Sequence, residues 1–113
     1  MLDVSTRDIK KGVIISITGD VDLYSSPEVR KVIIDLTDKK TKNILVDLSS
    51  VSYMDSSGVA TLVEGLQQVG KYGGKLMLFG LEAAVKEVFE LSRLDKVFEI
   101  YPDEQTALDH LKK

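Results

Sequence analysis

The sequence predicts one α/β domain: a mixed, mainly parallel sheet of about five strands with an antiparallel N-terminal edge, and about four helices. Three observations carry this. Short β-branched or apolar runs alternate with segments whose apolar residues recur at helical spacing. The first two runs, separated by a Lys11-Gly12 turn, read as a hairpin. Two later runs, Ile44-Leu45-Val46-Asp47-Leu48 and Leu76-Met77-Leu78-Phe79-Gly80, are nearly continuous in apolar residues, the pattern of central parallel strands covered on both faces.

Taken in order, Leu2, Val4 and Ile9 are spaced by polar residues, as on an edge strand. Val13 to Thr18 is β-branched and short, a second strand that Gly19-Asp20-Val21-Asp22 breaks. Ser25-Ser26-Pro27-Glu28 starts a helix: serine offers a cap for free N–H groups, and proline suits the first turn. Val29, Val32, Ile33 and Leu36 give that helix one apolar stripe, and Lys39 to Asn43 ends it. After the third strand comes a polar loop, Ser49 to Gly58, containing Tyr53 and Met54. Val59, Leu62, Val63, Leu66 and Val69 resume helical spacing, closed by Gly70, Gly73 and Gly74. Beyond the fourth strand, Val85, Val88 and Phe89 mark a short helix. Val97 to Tyr101 reads as a fifth strand, and Ala107, Leu108 and Leu111 mark a terminal helix.

Size and composition bound the function. A chain of 113 residues and 12.5 kDa forms one domain that exposes roughly 6,200 Å² when folded, against roughly 18,100 Å² unfolded. Zero cysteines exclude disulfides, thiolate metal sites and thiol catalysis. A single histidine, His110, excludes a multi-histidine metal site within one chain. The net charge of −3 comes without a basic stripe, and no apolar run reaches the roughly 20 residues of a membrane span. The expectation is a cytoplasmic domain with no cofactor, no direct nucleic-acid partner and no membrane partner.

Several chemistries are suggested locally and then weakened by context. Gly65 to Tyr72 nearly matches a phosphate-binding loop. Tyr72, however, stands where Ser or Thr should hold magnesium, and Leu66 and Val69 continue a helix where the loop should open one. Asp55-Ser56-Ser57-Gly58 offers serines at a strand-to-helix junction, but a serine nucleophile needs a neighbouring base, and the lone histidine lies on the terminal helix. Asp20, Asp22, Asp47 and Asp55 gather near strand ends and suggest magnesium; the same residues serve equally as turn and cap residues, the reading favoured here.

From Val46 to Leu62 the chain reads VDLSSVSYMDSSGVATL. This resembles the central motif of the STAS domain family, named for sulfate transporters and anti-sigma factor antagonists. The likeness is to the stand-alone antagonists and covers essentially the whole chain. Thr18 to Asp22 is similar to the family's turn after the second strand, and Gly73-Gly74-Lys75-Leu76 to its entry into the next. Two departures stand out: Arg93 and Ala60 occupy positions where members often have glycine.

The resemblance implies a switch. The first serine of the Asp-Ser-Ser-Gly motif, here Ser56, accepts a phosphoryl group from an anti-sigma factor that is also an ATP-dependent serine kinase. The unphosphorylated form binds that factor and releases sigma; the phosphorylated form binds poorly until a PP2C-type phosphatase restores it. Asp55 and Ser57 would then shape and cap the loop, Gly58 would permit close approach of a partner backbone, and Asp22 would join the binding surface. Tyr53 is expected to pack rather than to be displayed. Phosphorylation adds about −1.5 to −2 charges. At a helix start, dipole attraction and repulsion from Asp55 nearly offset each other, so the fold should persist while the interface fails. The alternative is a non-switching STAS interaction module of a signalling scaffold or transporter-associated complex, with Ser56 never modified. An enzyme or nucleotide binder is the least supported class.

Overall fold

The N-terminal hairpin forms one edge of the sheet. A computed structural model of the protein describes residues 2–111. The elements run β1 (Asp3–Ile9), β2 (Gly12–Thr18), α1 (Ser26–Asp38), β3 (Asn43–Ser50), α2 (Ser56–Gly70), β4 (Lys75–Phe79), α3 (Ala83–Leu91), β5 (Glu99–Tyr101) and α4 (Glu104–Leu111). A 3₁₀ turn at Leu94–Lys96 precedes β5. Strand order is β1-β2-β3-β4-β5, antiparallel between β1 and β2 and parallel elsewhere. This is the expected class and order of elements.

The period of two along each central strand explains why both faces are apolar. Ile15, Ile17, Val46, Leu48 and Leu78 face one way and pack under α1, α2 and α3. Ile14, Leu45, Met77 and Phe79 face the other way and pack under α4. In α1, the stripe's Val29 and Ile33 are fully buried, each worth about 1.5–3 kcal/mol over exposure. Phe89 of α3 meets Phe98 edge to face, with centroids 5.5 Å apart. Such a pair adds about 0.5–1.5 kcal/mol beyond its buried area and fixes α3 against the start of β5. The folded surface is 6447 Å², close to the size-scaling expectation.

Element ends differ from the sequence reading for local reasons. The hairpin turn is Lys10-Lys11, because Gly12 pairs with Ile9 and already belongs to β2. Ser25 makes no side-chain cap to α1. Asp22 takes the local amides instead, accepting from Tyr24 N and Ser25 N at 2.9 Å each. The first turn of α2 starts at Ser56, so Ser56, Ser57 and Gly58 are helical rather than loop. β5 is shorter than expected, because Val97 closes the 3₁₀ turn and stays exposed.

Arg93 follows α3 at φ 62°, in the left-handed region. A side chain there costs roughly 1–2 kcal/mol, so glycine would suit this position better. Arg93→Gly relieves that strain and gives back part of it as unfolded-chain entropy, about 0.4–1 kcal/mol. The expected result is a midpoint raised by a few degrees in thermal melts. A lower midpoint would show that the Arg93 side chain contributes more than its backbone costs.

Candidate functional site

The site is built where α2 begins. Asp55 has extended backbone geometry and caps the helix: its Oδ1 accepts from Ser57 N at 2.9 Å and from Gly58 N at 3.4 Å. The Ser57 hydroxyl also donates to Asp55 Oδ1. That hydroxyl bond, helped by the backbone amides, holds the Asp55 carboxyl below the usual carboxylate range. Ser57 is half-buried and its hydroxyl is engaged. Ser56, one residue earlier, is exposed, and its hydroxyl has no partner among the described residues. One helical step of about 100° sends two adjacent serines to different surroundings.

The turn after β2 is joined to this helix start. Val21 and Met54 form an isolated parallel bridge. Val21 N donates to Tyr53 O at 3.0 Å and Asp55 N to Val21 O at 3.1 Å. Both bridge side chains are buried, and Gly58 lies against them: a Cβ there would fall 2.7 Å from Met54 Cγ and 2.8 Å from Val21 Cγ1. The absent side chain thus has a use within the chain itself, beside the partner approach expected from the sequence. Gly58 is buried and lets the chain's own core approach closely.

Asp22 sits on the same end of the sheet as Ser56, as expected, with its carboxylate committed to the turn. Beyond the two amides, Asp22 Oδ1 accepts from Ser25 Oγ at 3.1 Å, and Asp22 O accepts from Ser26 N at 2.8 Å. This turn presents Leu23 and Tyr24 to solvent, 68% and 90% exposed. Tyr53 is 51% exposed, so the expectation that it packs is overturned; Met54 takes the buried place instead. Between this loop and α3 lies a cleft of about 270 Å³ lined by Tyr53, Met54, Ala84, Glu87, Val88 and Leu91. The sequence reading missed this apolar surround. Its one signal was Leu23-Tyr24, two large residues in a turn outside any periodic stripe.

The competing chemistries find no geometry. Gly65 lies inside α2, its missing side chain making room for Ile33 of α1, so the segment to Tyr72 closes a helix instead of cradling phosphate. Asp47 Oδ1 accepts from Ser49 N and Ser49 Oγ, and Asp20 Oδ1 from Ser52 Oγ, as turn residues do. No group of three or more metal-ligating side chains occurs among the described residues. His110 lies on α4, against Tyr101 and Thr106 O, on the far face of the sheet from α2.

The depressed Asp55 pKa sets a pH dependence. A carboxyl lowered in the folded state stabilises above its unfolded pKa, about 3.9, and that contribution is lost as pH falls through the folded value. An asparagine at this position would keep the cap acceptor but not titrate. Asp55→Asn is therefore expected to flatten the fall of the melting midpoint below about pH 4 relative to the unaltered chain. Parallel melting-versus-pH curves would show that this cap does not lower the Asp55 carboxyl in the folded chain.

The STAS domain family model matches residues 3–107, and with them every strand, α1, α2, α3 and the Asp55-Ser56-Ser57-Gly58 helix start. The chain belongs to the STAS family. Among its STAS relatives is a protein of Bacillus subtilis (strain 168) named anti-sigma-B factor antagonist, 28% identical over 99 residues that cover 88% of this chain and 90% of the relative. An anti-sigma factor antagonist from Mycobacterium paratuberculosis has the same fold, with TM-score 0.92 and 23% identity over 100% of this chain and 96% of the other. SpoIIAA, an anti-sigma factor antagonist of known structure, superposes in its unphosphorylated form with TM-score 0.84 at 21% identity, over 97% of this chain and 96% of SpoIIAA. Its phosphorylated form, from Bacillus, superposes with TM-score 0.77, also at 21%, over 96% and 99%. Among the described residues, no helix of this STAS chain is long and apolar enough to cross a membrane.

Proposed function

We propose that this STAS protein is an anti-sigma factor antagonist switched by phosphorylation of Ser56. The observation that carries the reading is the contrast at the start of α2: an exposed, unpartnered Ser56 hydroxyl beside a Ser57 hydroxyl already bonded to Asp55. A kinase can reach the first without breaking a cap and the second only by breaking one. Around Ser56 lie Leu23, Tyr24 and Tyr53, with the cleft against α3, an exposed apolar surface suited to docking another protein. The names of the relatives support the anti-sigma factor as that protein.

In this reading the partner is both docking target and kinase. Ser56 Oγ loses its proton, forms the bond to the γ-phosphorus of ATP, and ADP leaves. A PP2C-type phosphatase hydrolyses the ester and restores binding. The chain's own contribution is to present the hydroxyl and bind, as a cytoplasmic regulator and not a catalyst.

The test is to incubate the chain with a serine-kinase anti-sigma factor of its source organism and ATP, and to measure intact mass. One phosphoryl group is expected on the unaltered chain and on Ser57→Ala, and none on Ser56→Ala. Tight binding of the factor with no phosphoryl transfer would instead support the non-switching interaction module.

A further inference from the structure

The net charge of −3 conceals a separation of charge along the strands. The connections leaving the carboxyl ends of β2, β3, β4 and β5 are residues 19–25, 51–55, 80–82 and 102–103. They carry Asp20, Asp22, Asp55, Glu82 and Asp103 and no lysine or arginine. At the amino ends of β2, β3 and β4 the balance inverts. The hairpin turn carries Lys10 and Lys11, the α1–β3 connection Lys39, Lys40 and Lys42, and the α2–β4 connection Lys71. These three connections contain no acidic residue; Asp8 and Asp38 flank them. A fourth connection, 92–98, enters part-way up the sheet, where Glu99 pairs with Met77, and adds Arg93 and Lys96 against Asp95.

The six lysines form one surface. All are exposed, and none is in an ion pair among the described residues. Their loops are tied together: Asn43 Nδ2 donates to Lys11 O at 2.8 Å, Tyr72 OH to Thr41 O at 2.7 Å, and Lys75 N to Lys42 O at 2.7 Å. The cations are therefore held on one end of the sheet, opposite Ser56.

We infer that this end is a docking surface for an anionic lipid bilayer. Three features choose the lipid surface over other polyanions. First, α1 and α2 present their carboxyl ends here, so no cradle of helix N–H groups awaits a discrete phosphate. Second, the six cations are all lysines, point charges without the fork that reads bases, and half-buried Tyr72 carries Lys40 Nζ over its ring, 5.7 Å from the centroid, where a base would have to stack. Third, an apolar cleft of about 290 Å³ opens beside Lys10 and Lys11, lined by Ile9, Leu108 and Leu111, where part of a lipid can insert. The acidic opposite end is repelled by the same surface, so the field orients the protein with Ser56 pointing away from the bilayer. This inference does not rest on the reading of Ser56.

The test is co-sedimentation of the full chain with vesicles of phosphatidylglycerol and phosphatidylcholine, with vesicles of phosphatidylcholine alone, and a parallel titration with a short DNA duplex, all at about 0.1 M salt. Binding to the acidic vesicles only is expected. The triple variant Lys10→Glu, Lys39→Glu, Lys71→Glu, one change per connection, is expected to lose about a hundredfold in partitioning, with a melting midpoint lowered by only a few degrees because Lys39 and Lys71 stand at the carboxyl ends of α1 and α2. No preference for acidic vesicles, equal partitioning of the triple variant, or tighter binding to the duplex than to the vesicles would each overturn the assignment.

Discussion

Phosphorylation of Ser56 is expected to weaken binding to the anti-sigma factor about a hundredfold while leaving the fold intact. A hundredfold corresponds to about 2.7 kcal/mol. The incoming group carries about −1.5 to −2 charges. A phosphate at a helix start would ordinarily be neutralised by the free amides of the first turn. Here the amides of Ser57 and Gly58 are already taken by Asp55, which is itself anionic. The carboxyl-end connections supply no lysine or arginine to pair with the new charge. The phosphate is therefore left without a cation from those connections, on the proposed docking surface, and a partner must desolvate it or be displaced. Titration calorimetry against the anti-sigma factor measures the effect. Ser56→Glu, with one charge and less bulk, is expected to reproduce about a tenfold loss, and Ser56→Ala to bind as the unmodified chain does. Amide spectra should change only around Ser56 and its joined turn; changes spread across β2, β3 and β4 would mean that the switch works by refolding.

Gly12→Ala is expected to be the most destabilising conservative substitution in the chain. A Cβ at Gly12 would lie 2.0 Å from the Asn43 carbonyl oxygen and 2.9 Å from the Asn43 carbonyl carbon. The obstacle is backbone, so no rotamer change relieves it. Either the hairpin or the start of β3 must move, opening the ladder where Val13 pairs with Ile44 and straining the Asn43 Nδ2 bond to Lys11 O. Overpacking costs about 1–3 kcal/mol when side chains can adjust. With backbone on both sides the upper end applies, about 3 kcal/mol, or roughly 10–20 °C in midpoint. Gly70→Ala is the control. Nothing lies within 4 Å of a Cβ there, and the residue ends α2, so helix propensity makes the change neutral or stabilising by up to about 1 kcal/mol. Equal midpoints for the two variants would show that the β2–β3 approach is looser than the geometry implies.

The class of fold and the order of its elements were legible in the residues, because hydrophobic period and strand continuity are local properties. Ile44 to Val46 and Leu76 to Phe79 can be apolar on successive residues only if both faces are covered. The helix start at Asp55 was legible for the same reason: a cap is a contact between residues two and three apart. Less legible were the end of β3, which pairing of Ser50 with Thr18 extends into polar residues, and the start of β5, which the 3₁₀ turn closed by Val97 delays.

By itself, then, the sequence determined a single α/β domain of the STAS family, the order of its elements along the chain, and the Asp55-Ser56-Ser57-Gly58 helix start as its candidate site. Only the tertiary structure decided what surrounds that turn. The Val21–Met54 bridge, the burial of Gly58 beneath it and the display of Tyr53 and Tyr24 all join segments about 30 residues apart. The gathering of Lys10, Lys39 and Lys71 onto one end is likewise invisible in a net charge of −3. Backbone periodicity acts over a few residues, whereas surface fields and interfaces depend on which distant loops the sheet order brings to the same end.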